Sequence, residues 1–214
     1  MTDKTLADEM KAIRESASER SRRLYDALVQ HLNETGALSG ALKAGDTFPD
    51  FQLVSAEGNF VTRADILAKG PAVVVFDRGA WCPYCTAVLG ALDKVVPAIA
   101  AAGARLVAIT PEAGGAALRT KVDRSLGLEL LCDLDSLLAL ECGLVYKVSD
   151  ELRGAYLDRG IDLERIYGNP SWMLPAPATF VVRKDTTIAY ANVAADFRFR
   201  EDPDEILKQL QALR

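Results

Sequence analysis

Several functions are excluded by what this chain has little of. It holds one histidine, His31, with nothing in the sequence to pair it with a nucleophile. Its four cysteines in 214 residues are too few for a disulfide-built scaffold. The net charge is -5 and no long basic block is present, which argues against nucleic acid as a partner. No apolar stretch approaches the length of a membrane span. Residues 1–16 are charged and lack the apolar core of a signal peptide, so a cytoplasmic protein with no membrane partner is expected. No glycine fingerprint for phosphate or dinucleotide binding occurs, so neither a flavin nor a nucleotide is implied. Internal repeats and low-complexity tracts are missing too.

What remains is ordinary soluble composition: 50% apolar and 26% charged residues, with enough length for one domain with a substantial core, or a domain plus an appendage. Leu6, Met10, Ile13, Ala17, Leu24 and Leu28 recur at helical spacing through a stretch free of Gly and Pro. The spacing predicts one long helix from about Thr5 to Asn33. Its narrow apolar stripe suits docking on the main domain or pairing with a second copy, as in a homodimer. We take residues 1–38 as this helical extension and 39–214 as the main domain.

Within the main domain, Val73–Phe76 reads as a buried central strand. Pro83 to about Ala102 reads as a helix, with Pro97 expected to kink it. Arg105–Thr110, Leu128–Cys132, Thr179–Arg183 and Thr187–Ala191 read as further strands. Pro111–Gly115 reads as a loop, and Ala116–Leu126, Leu134–Cys142 and Pro203–Leu213 as helices. Strands alternating with helices, closed by a hairpin and a helix, predict a three-layer α/β sandwich with a mixed central sheet. The stretch 147–177 is the least regular and is expected to cover part of the site.

The chemistry is concentrated in Trp81-Cys82-Pro83-Tyr84-Cys85. Two cysteines two residues apart, where a strand gives way to a helix, form a dithiol that can close into a disulfide. With Cys82 as N-cap, Pro83 takes the first helical position, where a missing N–H costs nothing. The N–H groups of Tyr84 and Cys85 then face the Cys82 sulfur, and the helix dipole favours a thiolate. A free thiol, with pKa about 8.5, is only about 3% ionised at neutral pH. Lowering that pKa by about 2 units needs roughly 2.7 kcal/mol of preferential stabilisation, within reach of such a site. Cys82 is therefore the attacking sulfur and Cys85 the resolving one. The dithiol could reduce a peroxide or a disulfide.

Structural zinc is a competing reading of Cys-x-x-Cys, but Cys132 and Cys142 lack matching spacing and a zinc site needs about four ligands. Cys142 reads as core filler and Cys132 as a free thiol at a strand end. Asp133 and Asp135 read as a helix start rather than a metal site.

The stretches Phe76–Cys85 and Arg105–Pro111 resemble the peroxiredoxin-like branch of the alkyl hydroperoxide reductase/thiol-specific antioxidant (AhpC/TSA) family. So do the entry Lys43–Phe51 and the late stretch Ser171–Phe180; together they span roughly residues 40–213. The resemblance implies a thioredoxin fold. It implies that Cys82 is the peroxidatic cysteine and Cys85 its redox partner, with no cofactor beyond their disulfide. Pro177, just before Ala178-Thr179-Phe180, is similar to the cis-proline facing the dithiol, and Trp81 to the tryptophan beside it. Arg78, Pro83, Tyr84 and Thr179 are expected neighbours of the site. The activity implied is reduction of hydrogen peroxide or an organic hydroperoxide, with a thioredoxin-like electron donor. The family's hydroxyl three residues before the cysteine is here Gly79, and its proline seven before is Val75. The usual arginine has no clear counterpart, since Arg78 and Arg200 both read as solvated surface residues. A general thiol-disulfide oxidoreductase therefore remains an alternative, as does a redox-responsive binding module.

Overall fold

The computed structural model describes residues 5–113 and 115–213. Gly114, at the expected loop after Pro111, lies outside them. The predicted N-terminal helix is two helices, α1 (Leu6–Ser16) and α2 (Glu19–Thr35). Ala17 and Ser18 between them are extended, and Ser18 caps α2 by accepting the Ser21 N–H. The cap outweighs the apolar periodicity that runs across the break. Thr5 and Asp8 form a capping box on α1, and Gly36 closes α2 in the left-handed conformation at φ 62°. Leu24, Leu28 and Leu32 make the buried stripe of α2, joined by Met10 of α1. Both helices lie on the body of the same chain: α1 on α4 (Pro83–Ala101) and α2 on α7 (Asp150–Leu157).

The main sheet has seven strands: β1 (Gln52–Ser55), β2 (Phe60–Thr62), β3 (Ala72–Phe76), β4 (Arg105–Thr110), β5 (Glu129–Cys132), β8 (Ala178–Val182) and β9 (Ile188–Val193), in the order β2-β1-β5-β4-β3-β8-β9. Strands β3, β4 and β5 run parallel, and the others pair antiparallel. This is the mixed sheet that the alternation predicts. All five residues of β3 are buried, as a strand covered on both faces requires. Helix α4 runs through Pro97 without ending. By length and composition it could cross a membrane, contrary to the sequence reading. Its Val88, Leu89, Leu92 and Ile99 are instead buried in the core of the domain.

The stretch 147–177 is more regular than expected. It holds α7, α8 (Leu163–Tyr167) and β7 (Met173–Pro175), which pairs with β6 (Val145–Lys147) in a second small sheet. Between β5 and α6 (Leu137–Glu141), Asp135 and Ser136 take left-handed angles. The nearby Asp133 carboxylate accepts the N–H groups of Leu138 and Ala139. That is the helix-start role read from the sequence. Among the described residues the remaining α-helices are α3 (Arg63–Leu67), α5 (Ala116–Arg124) and α9 (Pro203–Gln211), the last capped by Asp202 with Pro203 in its first turn.

Candidate active site

Strand β3 delivers the chain to a turn that α4 closes. The Asp77 carboxylate accepts the Gly79 N–H at 2.5 Å, and the Gly79 carbonyl accepts the Cys82 N–H at 3.1 Å. Gly79 lies at φ 100°, where a side chain is strained. Cys82 is the N-cap of α4 and Pro83 follows as first helical residue. From across the site, the Tyr167 hydroxyl donates to the Arg78 carbonyl at 2.7 Å and accepts the Trp81 indole N–H at 3.0 Å. Tyr167→Phe leaves both partners without this hydroxyl in a buried place. A loss of about 2 kcal/mol in urea unfolding is expected, and unchanged stability would show the hydroxyl to be idle.

Arg78 is buried, at 1% exposure, which corrects its reading as a surface residue. Its Nη2 donates to the Cys82 sulfur at 3.0 Å. The guanidinium lies 3.8 Å over the Phe197 ring and 5.2 Å from the Trp81 ring. Two π-systems thus lie within reach of the cation, which lessens the cost of burial. Its Nε and Nη1 have no hydrogen-bond partner.

Cys82 and Cys85 are both buried, free thiols. Burial pushes Cys82 up, but the hydrogen bond from Cys85 and the charges of Arg78 and Arg200 outweigh it and hold the thiol well below its ordinary range. The helix start supplies less than the sequence implied. The sulfur makes no capping hydrogen bond, although the Cys85 N–H still lowers its pKa. Cys85 goes the other way: burial and the neighbouring Cys82 raise it well above an ordinary thiol. Its sulfur accepts the Arg78 N–H at 3.4 Å and the Arg200 Nη2 at 3.5 Å. The surroundings thus push the two thiols in opposite directions, favouring ionisation at Cys82 and disfavouring it at Cys85.

Two carboxyl groups behind the loop escaped the sequence reading. Glu112 follows β4 and its Oε1 accepts the Ala80 N–H at 3.0 Å. Asp77 is buried with Oδ2 unpartnered. Burial raises both, and ionisation of the neighbouring Cys85 would raise them further. Glu112 occupies the space beside Gly79: a Cβ built there would lie 2.6 Å from its Cδ and 2.7 Å from Oε1. The absent side chain at position 79 was the one sequence signal that something else fills this volume.

Residues 44–191 match the family model described as AhpC/TSA family. The chain belongs to the AhpC/TSA family. The fold agrees. Peroxidoxin BcpB from Mycobacterium tuberculosis superposes with a TM-score of 0.63 at 22% identity, covering 81% of this chain and 99% of that one. A cysteine-to-serine mutant of peroxiredoxin 6 from Arenicola marina gives 0.64 at 17%, covering 81% and 74%. AhpC of Mycobacterium tuberculosis gives 0.61 at 18%, covering 81% and 93%. Comparison with curated proteins returned no match. The chain is a thioredoxin-fold, peroxiredoxin-like protein.

The other sequence-derived candidates divide between this site and the rest of the molecule. Tyr84 is buried with its ring edge-on to Phe197 at 5.7 Å, and Trp81 packs edge-on to Tyr156 at 5.3 Å. Arg200, half-buried, reaches Cys85 rather than lying free in solvent. The Ala176–Pro177 peptide is trans, as is every peptide bond among the described residues. This AhpC/TSA chain thus departs from the expected cis-proline. Pro177 and Thr179 line a small cleft with Phe199 and Arg200 on the flank of β3 and α4. Cys132 ends β5 half-buried, and Cys142 is buried with its thiol pushed up to about 12 by burial. His31 lies on α2, and its carbonyl accepts the Thr35 hydroxyl.

Proposed function

We propose that this AhpC/TSA protein is a thiol peroxidase in which Cys82 is oxidised by peroxide, Cys85 resolves it, and a thioredoxin-like dithiol donor of the cytoplasm restores both. The observation that carries this reading is the Arg78 guanidinium at 3.0 Å from a Cys82 sulfur with a depressed pKa, beside a Cys85 with a raised one. The Cys82 thiolate attacks the terminal peroxide oxygen. An S–O bond forms, the O–O bond breaks, and the leaving alkoxide or hydroxide takes a proton from solvent. Sulfur is oxidised to a sulfenic acid as the peroxide gains two electrons. The Cys85 sulfur then attacks Cys82, the S–O bond breaks, and hydroxide leaves as water with the Cys85 proton. A dithiol donor returns two electrons and two protons by exchange through a mixed disulfide.

The reading is tested with fully reduced protein and hydrogen peroxide or cumene hydroperoxide in a rapid-mixing instrument. At least one of them should oxidise Cys82 far faster than a free thiolate reacts, and mass spectrometry should find the Cys82–Cys85 disulfide. Cys82→Ser should abolish turnover, and full turnover in that variant would falsify the reading. In Cys85→Ser, oxidation of Cys82 should stay fast but stop at a sulfenic acid that dimedone traps. Gly79, which lacks the family's hydroxyl, favours a second reading as a thiol-disulfide oxidoreductase. Fast reduction of a model disulfide, with peroxides no faster than a free thiolate, would select it.

A further inference from the structure

Each sulfur of the dithiol has an arginine side chain of its own. Arg78 reaches Cys82 from the redox loop. Arg200 reaches Cys85 from the loop between β9 and α9, 115 positions further along the chain. It lies beyond residues 44–191, the part matched by the family model. Its Nη2 donates to the Cys85 sulfur at 3.5 Å, and its Nη1 to the Phe199 carbonyl at 3.0 Å. Among the described residues no carboxylate pairs with it. Arg198 is the contrast: Asp196 holds it at 2.8 Å and Asp26 at 2.6 Å. The chain just after Arg200 is fixed. Glu201 accepts hydrogen bonds from the Tyr190 hydroxyl and, at 2.6 Å, from the Asn192 amide, both on β9, and Asp202 caps α9. A half-buried cation is thus held against the second sulfur with no carboxylate partner of its own.

Cys85 needs that charge at one stage of the reaction. In the reduced protein burial raises its thiol, as do the hydrogen bond with Cys82 and the charge of a Cys82 thiolate. Arg200 is the strongest opposing influence, ahead of Arg78. The other ionisable groups that bear on Cys85 are Asp77 in the redox loop, Glu112 after β4 and Tyr167 at the end of α8. Burial raises all three, and none supplies positive charge. Once Cys82 is a sulfenic acid it is neutral, and its charge no longer holds Cys85 protonated. Both guanidinium groups remain, and Cys85 is then the one thiol of the pair left to ionise. Oxidation of the first sulfur thereby readies the second.

We propose that Arg200 is a catalytic residue of the second step, stabilising negative charge on the Cys85 sulfur as it attacks Cys82 and closes the disulfide. This deepens the peroxidase reading and rests on it for the sulfenic acid. The S–S bond forms as the S–O bond of Cys82 breaks, and the Cys85 proton leaves with the hydroxide as water. The sulfenic sulfur is the oxidant of Cys85, and no other is needed. A lowered thiol pKa yields more thiolate but a weaker nucleophile, and about half of the gain is lost. An opposite charge that shifts the pKa by about 1–3 units therefore speeds the step roughly 3- to 30-fold at neutral pH.

The test follows single turnovers of the reduced full chain with excess hydrogen peroxide in a rapid-mixing instrument. Cys82 oxidation depends on peroxide concentration; the later closure of the disulfide, timed by loss of the dimedone-reactive species, does not. Arg200→Met should slow closure roughly 3- to 30-fold at pH 7. It should slow the first phase less, because Arg78 still donates to Cys82 at 3.0 Å. Arg200→Lys keeps the charge and should recover part of the rate; it also guards against a Met variant that fails to fold. The deficit of Arg200→Met should shrink toward alkaline pH, where Cys85 ionises without help. Closure as fast in Arg200→Met as in wild type would overturn the proposal. So would a deficit that Arg200→Lys shares in full and that is the same at every pH, because a merely structural role gives that pattern. The chromogenic disulfide dithiobis(nitrobenzoate) supplies a readout that needs no peroxide. Cys82 releases one coloured thiolate from it, and Cys85, attacking the mixed disulfide, releases the other. The second release should be slowed in Arg200→Met as closure is. If peroxide oxidised wild type no faster than a free thiolate, the peroxidase reading alone would fall, and the second release would still decide the role of Arg200.

Discussion

Arg78→Met should lower the rate of Cys82 oxidation by peroxide at pH 7 by roughly 10- to 100-fold while leaving the folded protein about as stable. The two halves of this result come from opposite terms of one interaction. The guanidinium is buried and donates to the Cys82 sulfur at 3.0 Å. An opposite charge at such a distance shifts a pKa by about 1–3 units, so its removal lets burial push the thiol back up. The thiolate fraction falls at neutral pH, and the rate falls with it. Stability follows a different account. A buried guanidinium with Nε and Nη1 unpaired carries a desolvation cost, and an apolar side chain of similar length removes it. The sulfur left behind takes up a proton, so no uncompensated charge stays in the interior.

The pH dependence separates two roles for Arg78. Because the folded pKa of Cys82 is depressed, its thiolate stabilises the reduced wild-type protein fully above the ordinary thiol pKa of about 8.5. That contribution is lost as pH falls through the lower, folded pKa. Arg78→Met should flatten this dependence in urea titrations at a series of pH values. Its peroxide rate should climb with pH as the thiol ionises. A climb to the wild-type plateau would mean that Arg78 acts only on the thiol. A plateau at least tenfold lower would mean that it also holds the peroxide oxygens. Wild-type rates at every pH would remove Arg78 from the reaction.

The sequence made the dithiol legible because its signals are local. An apolar run ends, Cys82 and Pro83 open a helix, and Cys85 follows one turn later. The alternation of strands and helices gave the layers for the same reason. What escaped is built from residues far apart in the chain. Arginine is seldom buried, and Arg78 is buried here because Phe197, 119 positions later, lies 3.8 Å from its guanidinium. No periodicity around position 78 carries that information. The break in the N-terminal helix was local and still missed, because the apolar stripe continues across Ala17 and Ser18 while the cap depends on one serine hydroxyl. The trans peptide at Pro177 runs against the resemblance itself, which carries backbone geometry only where the loops are built alike.

Gly79 is where resemblance and structure give opposite forecasts for one substitution. On resemblance, Gly79→Thr restores a family hydroxyl three residues before the reactive cysteine and should speed the peroxidase. On structure, it should destabilise the protein by roughly 3 kcal/mol and slow the reaction. The backbone stands at φ 100°, a conformation in which a residue with a Cβ is strained by about 1–2 kcal/mol. The new Cβ would lie 2.6–2.7 Å from Cγ, Cδ and Oε1 of Glu112, and overpacking of this kind costs about 1–3 kcal/mol more. Either the loop or the glutamate must move. If the glutamate moves, the Ala80 N–H loses its acceptor at 3.0 Å; if the loop moves, the turn that sets Cys82 beside Arg78 opens. The double variant Gly79→Thr/Glu112→Ala keeps the strained backbone but removes the clash, so it should recover part of the stability and none of the lost backbone acceptor. Urea unfolding and rapid-mixing rates on the two single variants and the double variant form a cycle whose coupling should be favourable by about 1–2 kcal/mol. A Gly79→Thr protein of wild-type stability and higher peroxide rate would mean that Glu112 yields freely. In this family member the carboxyl group, rather than a threonine, holds the ground beside the reactive loop.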